Sequence, residues 1–439
     1  MERGYIHAVV IVVLTTLLGL LLLHFVPSMQ VGSWRSRNVD MLSDVLDSAA
    51  ANPDDALVQH ARVDTCREGL ECINDMSGGE GQGMDPFYDA IDSIKSLGRP
   101  VRIAVLGDSY IEGDIFTAHL RERLQRHWGG CGVGFVPITD AIAGFRTTVT
   151  HRYGGWTEHH ANEQSSGYNS TYANISGHYF NGSAGAWLAL GGVAKDIARL
   201  DTCQESSLYF AGTGSAEAMA CVNNGEEQAF TLNGNGGVGK VTVKGRIGAV
   251  RWRITRNSGL VFLGASLDPD QGIVVDNFSL RSSGGNQLKM VAPKMFTDFD
   301  QARHYDLIII MYGLNVAGRE ESKYEAYQKM LGEVITTMKR AMPDTGFLLV
   351  GTSDREERYN GGFRTLPGVV SLINAQQQIA YDNKIAFWNL YTAMGGQGSI
   401  VEMVKNHQAN LDYTHINKQG GKHLSAFLYD ALEWGSRKM

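Results

Sequence analysis

The chain opens on an unbroken apolar run: Ile6 to Val26, IHAVVIVVLTTLLGLLLLHFV, contains no Lys, Arg, Asp or Glu. A helix of roughly 20 apolar residues crosses the hydrocarbon core of a bilayer, so residues 1–32 are expected to form a transmembrane signal anchor. A cleaved signal has a shorter apolar region and a small-x-small site, for which Pro27-Ser28 and Gly32-Ser33 are poor candidates. Arg3 lies upstream and Arg35 and Arg37 downstream, so charge leaves the orientation open. Either way the bulk of the chain is expected outside the cytoplasm, for instance in a periplasm. Residues 33–85, with NPDDAL and SGGEGQG, turn polar and glycine-rich and read as a tether.

At Val101 the rhythm changes. VRIAVLG is a continuous apolar run of strand length, and FTAHLRERLQRHW behind it repeats its apolar positions at helical spacing. The alternation returns in the C-terminal half. DLIIIMY (306–312) precedes a helix over 322–341, GFLLVG (346–351) precedes one over 367–382, IAFWNL (385–390) follows, and a last helix covers 418–434. Strands alternating with helices predict a parallel sheet with helices on both faces, here an α/β body of residues 86–144 and 271–439. Residues 145–270 follow neither pattern: SLYFAG, AMACVN, QAFTLN, GKVTVKG, AVRWRIT and LVFLGASL alternate with Gly- and Asn-rich turns. They predict an inserted β-sandwich or barrel.

Charge removes one class of function. With 39 basic against 46 acidic residues the net charge is -7, and no basic stripe exists to track a phosphate backbone, so nucleic acid is excluded as a partner. Five cysteines suit an exported chain; Cys66 with Cys72 and Cys203 with Cys221, across an expected hairpin, are the working pairs, leaving Cys131. No CxxC pair suggests zinc, and His151, His159 and His160 read as surface histidines, so no metal and no cofactor are expected.

Four short segments carry candidate chemistry. Gly107-Asp108-Ser109 follows the buried strand, where an α/β sheet presents ligands; its Ser could be a nucleophile and its N–H an oxyanion donor, although Asp and Ser are also ordinary helix caps. Asp412 and His415, three apart in DYTH, have the spacing for a base and the carboxylate that orients it. Gly313 and Asn315 follow the strand DLIIIM, where an amide could meet developing negative charge. Arg281-Ser282-Ser283-Gly284-Gly285 follows GIVVDNFSL, and a glycine there could bring a backbone N–H close to a ligand.

In this order the four segments resemble the sequence blocks of the SGNH (GDSL-type) hydrolases, over residues 100–150 and 270–435. GDSYIEGD, IIMYGLNV, TAMGGQGSI and DYTHINKQGGKHL are similar to an exported branch that includes peptidoglycan O-acetylesterases. Two positions depart from the pattern, Val316 after Asn315 and Tyr110 after Ser109; neither removes a reacting group. The resemblance implies a flavodoxin-like three-layer fold with a carbohydrate-binding-module-like insert. It implies a Ser109–His415–Asp412 triad, an oxyanion hole of Ser109, Gly285 and Asn315 with Gly284 as the alternative glycine, and support from Gly107, Asp108 and Gly313. The implied activity is removal of O-acetyl groups from a cell-envelope or other polysaccharide. Acyl transfer to a glycan and non-catalytic glycan binding are the rival expectations. Trp156, Tyr168, Tyr172, Tyr179, Trp187 and Trp252 are candidates for stacking on sugar rings, though most are expected in the core. The oligomeric state stays open.

Overall fold

A computed structural model describes Thr15, Leu57 and residues 30–31, 34–35, 66–79, 82–161 and 167–437. The expected anchor at Ile6–Val26 therefore lies outside the described residues, Thr15 excepted; among the described residues no helix is long and apolar enough to cross a membrane. Met1–Asp55 is one unit and Ala56–Met439 another. In the first, β1 (Gln30–Val31) pairs antiparallel with β2 (Trp34–Arg35).

In the second unit the short apolar runs become a parallel sheet. Its strands β4 (Val101–Gly107), β12 (Ile273–Ser279), β13 (Leu307–Met311), β14 (Gly346–Val350) and β17 (Ala386–Trp388) lie in the order β12-β4-β13-β14-β17. Successive side chains on a strand point to opposite faces, so Leu106, Ile308, Ile310 and Leu349 enter one core while Val105, Ile309 and Leu348 enter the other. The first core is covered by α3 (Pro293–Arg303), α4 (Glu325–Ala341) and α5 (Pro367–Asp382), through side chains such as Phe299, Leu331 and Ile373. The second is covered by α1 (Asp85–Asp92), α2 (Thr117–Trp128) and α8 (Lys418–Ser436), through Phe87, Leu120 and Leu428. This is the flavodoxin-like doubly wound order, whose reversal between β4 and β13 opens a crevice beyond the carboxyl ends of the strands.

Part of the expected tether belongs to this body. β3 (Asn74–Asp75) extends the sheet antiparallel to β17, Trp388 Nε1 donates to the Glu71 carbonyl, and Gln82 Nε2 donates to the carbonyls of Lys339 and Met342. A two-residue edge strand leaves no apolar period in the sequence, which is why the segment reads as loop.

The residues between β4 and β12 build a second, antiparallel sheet of β5 (Gly134–Pro137), β6 (Val149–His160), β7 (His178–Gly192), β8 (Cys203–Val222), β9 (Glu227–Asn233), β10 (Val238–Ile247) and β11 (Ala249–Leu267). It is one continuous seven-stranded sheet rather than two separate ones. SLYFAG and AMACVN are halves of the single 20-residue strand β8, and AVRWRIT and LVFLGASL are halves of the 19-residue β11. The glycines between the halves, which read as turns, are bends: Gly212 and Gly259 take φ of 119° and 90°, backbone that glycine adopts without strain, and β11 shifts register against β8 there. The two strands double over a common core in which Phe210, Leu260, Ala218 and Trp252 meet.

That geometry corrects the cysteine pairing. Cys66 and Cys72 are bonded, but Cys203 and Cys221 are free, because they stand at opposite ends of β8 rather than on two arms of a hairpin. Cys203 Sγ donates to the Glu205 carbonyl and Cys221 Sγ to that of Gly225.

The two sheets are joined through buried charge. Arg303, at the end of α3 and wholly buried, forms ion pairs with Asp268 beyond β11 and with Asp276 on β12. It also donates to Tyr209 Oη on β8, while Asp276 accepts from Tyr305 Oη and from the Phe135 N–H on β5. Five protein donors or charges thus converge on groups that would be costly to bury alone.

Candidate active site

Ser109 stands just beyond the carboxyl end of β4, the strand at the sheet's reversal. Gly107 closes β4 so tightly that a Cβ there would come within 2.9 Å of the Met311 carbonyl. The next residue, Asp108, is 1% exposed. Its carboxylate accepts from the Tyr110 N–H at 2.9 Å and from Asn315 Nδ2 at 3.0 Å. Burial raises the Asp108 carboxyl to about 6, against the pull of these hydrogen bonds and of the nearby His415. Asp108 thereby ties the turn after β4 to the turn after β13.

Asp412 and His415 occupy the loop before α8. The Asp412 side chain accepts from the His415 ring, with Nδ1 2.8 Å from Oδ2, and from the backbone N–H groups of Thr414 and His415 at 3.1 and 3.0 Å. Burial pushes the Asp412 carboxyl up, but the hydrogen bonds and charge of His415, with the Thr414 N–H, outweigh it and hold Asp412 below the usual carboxylate range. The turn places Tyr413 at φ 53°, and its carbonyl accepts from the Glu356 N–H. Glu356 begins the hairpin of β15 (Glu356–Tyr359) and β16 (Gly362–Thr365), whose Phe363 ring packs 4.2 Å from Tyr413. The charge of His415 pulls the Asp108 carboxyl down, although the two residues are separated by almost the whole body in sequence.

The oxyanion candidates are differently placed. Both hydrogens of the Asn315 amide are engaged, one by Asp108 and one by the Ser283 carbonyl at 3.1 Å. The Gly285 N–H is also taken, by Ser283 Oγ at 2.9 Å, and Gly285 is buried with φ 89°, where a Cβ would press on Tyr312. Gly284 is half-buried beside it. Gly285 thus shapes the loop.

Two partners of the site lie within GDSYIEGD, but nothing local marks what they bind. Glu112, three residues after Ser109, forms an ion pair with Arg281 at 2.6 Å, fastening the Ser283 loop to the Ser109 turn. Asp114, buried with φ 64°, accepts from Arg121, Arg146 and Thr148. These residues converge only in space. The expected sugar platforms mostly have their rings covered: Trp252 and Tyr179 are core, Trp156 packs on Phe262, Tyr168 and Tyr172 pack on Tyr179, and Arg251 covers Trp187. Among the described residues no cluster of His, Cys, Asp and Glu could hold a metal.

No protein-family model matches the chain, and no curated protein matches it by sequence. A solved structure of a peptidoglycan O-acetylesterase superposes with a TM-score of 0.68 at 20% identity, over 84% of this chain and 99% of that one. A family-two carbohydrate esterase from Cellvibrio japonicus (TM-score 0.27, 12% identity, 69% of this chain and 98% of that one) and an acetyl xylan esterase (0.28, 14%, 36% and 81%) are too distant to bear on the fold. At that coverage the chain shares the fold of the solved peptidoglycan O-acetylesterase.

Proposed function

We propose that the protein is a serine esterase that removes O-acetyl or other short acyl groups from a polysaccharide. The observation that carries this reading is the Asp412–His415 pair, at 2.8 Å, in a chain that also sets a serine at the switch point of the sheet. Asp412 holds the imidazole with Nδ1 as donor and stabilises the imidazolium, leaving the other nitrogen to act as base. His415 takes the Ser109 proton, Oγ attacks the ester carbonyl, and the oxyanion is met by the N–H groups of Ser109 and Gly284 and by Asn315. Asn315 reaches it only by releasing the Ser283 carbonyl, so its part begins once substrate is bound. The imidazolium then protonates the departing sugar hydroxyl, and water, deprotonated by His415, frees the acid. The apolar Ile6–Val26 run supports export and tethering at a membrane, close to a cell-envelope polymer.

A fluorophosphonate probe should label wild type at Ser109, and Ser109→Ala should lose labelling and at least about 1,000-fold in turnover of p-nitrophenyl acetate. Unlabelled wild type, or unchanged turnover in the variant, would refute the reading.

A further inference from the structure

Beside the nucleophile turn lies a cavity of about 310 Å³ that the triad does not use. Its floor is the segment just after Ser109, Glu112 to Asp114, and the end of β12, Phe278 to Arg281; its roof comes from the insert, through the β5–β6 connection and β7. The volume is at the small end of ligand pockets and suits one ring rather than a chain.

The lining has a definite chemistry. Phe135, Pro137, Phe278 and Leu280 give it apolar walls. Most of its charges are already matched: Glu112 with Arg281, Asp114 with Arg146, and Glu158 with His178 at 2.8 Å. Two groups are left over. Arg146 is 6% exposed, and its Nη2 is buried with no hydrogen-bond partner. Asp140 accepts the Ile142 N–H on Oδ1 and, among the described residues, has no ion-pair partner. A buried guanidinium N–H with no acceptor has given up water without replacement, so it points to a ligand atom that completes it. With four carboxylates against two guanidiniums in the lining, an anion is disfavoured there. A donor, an acceptor and apolar walls match a neutral pyranose, whose edge both gives and takes hydrogen bonds and whose faces are C–H.

We infer that this cavity receives a neutral sugar ring of the substrate, with Arg146 donating to a ring substituent and Asp140 accepting from a hydroxyl. The inference rests on the esterase reading above and gives the insert a part in it: specificity comes from its β5–β6 connection and β7 rather than from exposed aromatic platforms.

The test compares O-acetylated peptidoglycan with p-nitrophenyl acetate, an ester too small to need the cavity. Ala141→Trp, an exposed position on the cavity wall, should lower kcat/KM on the glycan at least tenfold while p-nitrophenyl acetate turnover stays within threefold. Asp140→Asn, which keeps an acceptor for Ile142, should lower the ratio of glycan to p-nitrophenyl acetate activity about tenfold, mainly through KM. Rates on the glycan that stay at wild-type level in both variants would overturn the inference, as would equal losses on the two esters. A wild type inert towards both esters would instead sink the esterase reading itself.

Discussion

The two sheets of this protein use the same secondary structure for opposite purposes. β4, β13 and β14 are five to seven residues long and wholly buried; parallel and sealed on both faces, they end at one edge, and whatever follows them is delivered to a single crevice. β6, β8 and β11 run to 12, 20 and 19 residues, half of their side chains face outward, and the sheet needs bends to enclose a core. The first sheet thus fixes where reacting groups stand. The second offers surface, and its connections reach over the crevice.

This contrast can be attacked at the joint first. Arg303→Met leaves Asp268 and Asp276 buried without their cation, and breaking a buried pair costs about 3–5 kcal/mol; the expected result is a fall in Tm of about 5 °C, read by calorimetry. A fall below 2 °C would mean that the sheets are joined by something else. At the edge of the parallel sheet, Asn315→Ala should reduce kcat on p-nitrophenyl acetate by about 100–1,000-fold. A change confined to KM would show that Asn315 binds substrate without stabilising the oxyanion.

The smallest expected effect concerns the hairpin under the His415 loop. Glu356 is buried beside Asp354, which itself accepts from Thr365, Ser399 and the Ile400 N–H. Burial first, then the neighbouring carboxylate, pushes Glu356 up to about 7 from its ordinary 4.5. A carboxyl raised by folding holds its proton more tightly in the native state, so stability is lost as pH rises from 4.5 to 7. Glu356→Gln removes that loss: Tm should rise by a few degrees at pH 8 and stay nearly unchanged at pH 4. An equal shift at both pH values would contradict the assignment of this loss to the raised Glu356 carboxyl.

What the sequence reveals follows from the same contrast. The sealed strands and their helices are legible almost to the residue, α5 at Pro367–Asp382 for example, because burial on both faces forces a continuous apolar run. The triad candidates are legible because each lies next to such a run or in one short turn. The insert is only partly so: a half-exposed strand that bends at glycine looks like two strands and a turn, which is how β8 came to suggest a disulfide across a hairpin. The commitment of the Asn315 amide to Asp108 and the meeting of Arg146 with Asp114 depend on contacts between distant segments, and no local pattern announces them.

The Arg303 junction bears on how such a molecule can change over time. A domain inserted through two adjacent strand ends is often pictured as a cassette, exchangeable without consequence for its host. Here one guanidinium belongs to the host helix, one of its carboxylates follows the last strand of the guest and another lies on the host sheet. Swapping the guest alone would take one of its two carboxylates from the buried Arg303, so shuffled hybrids of this architecture should be more stable when they carry the matching acid.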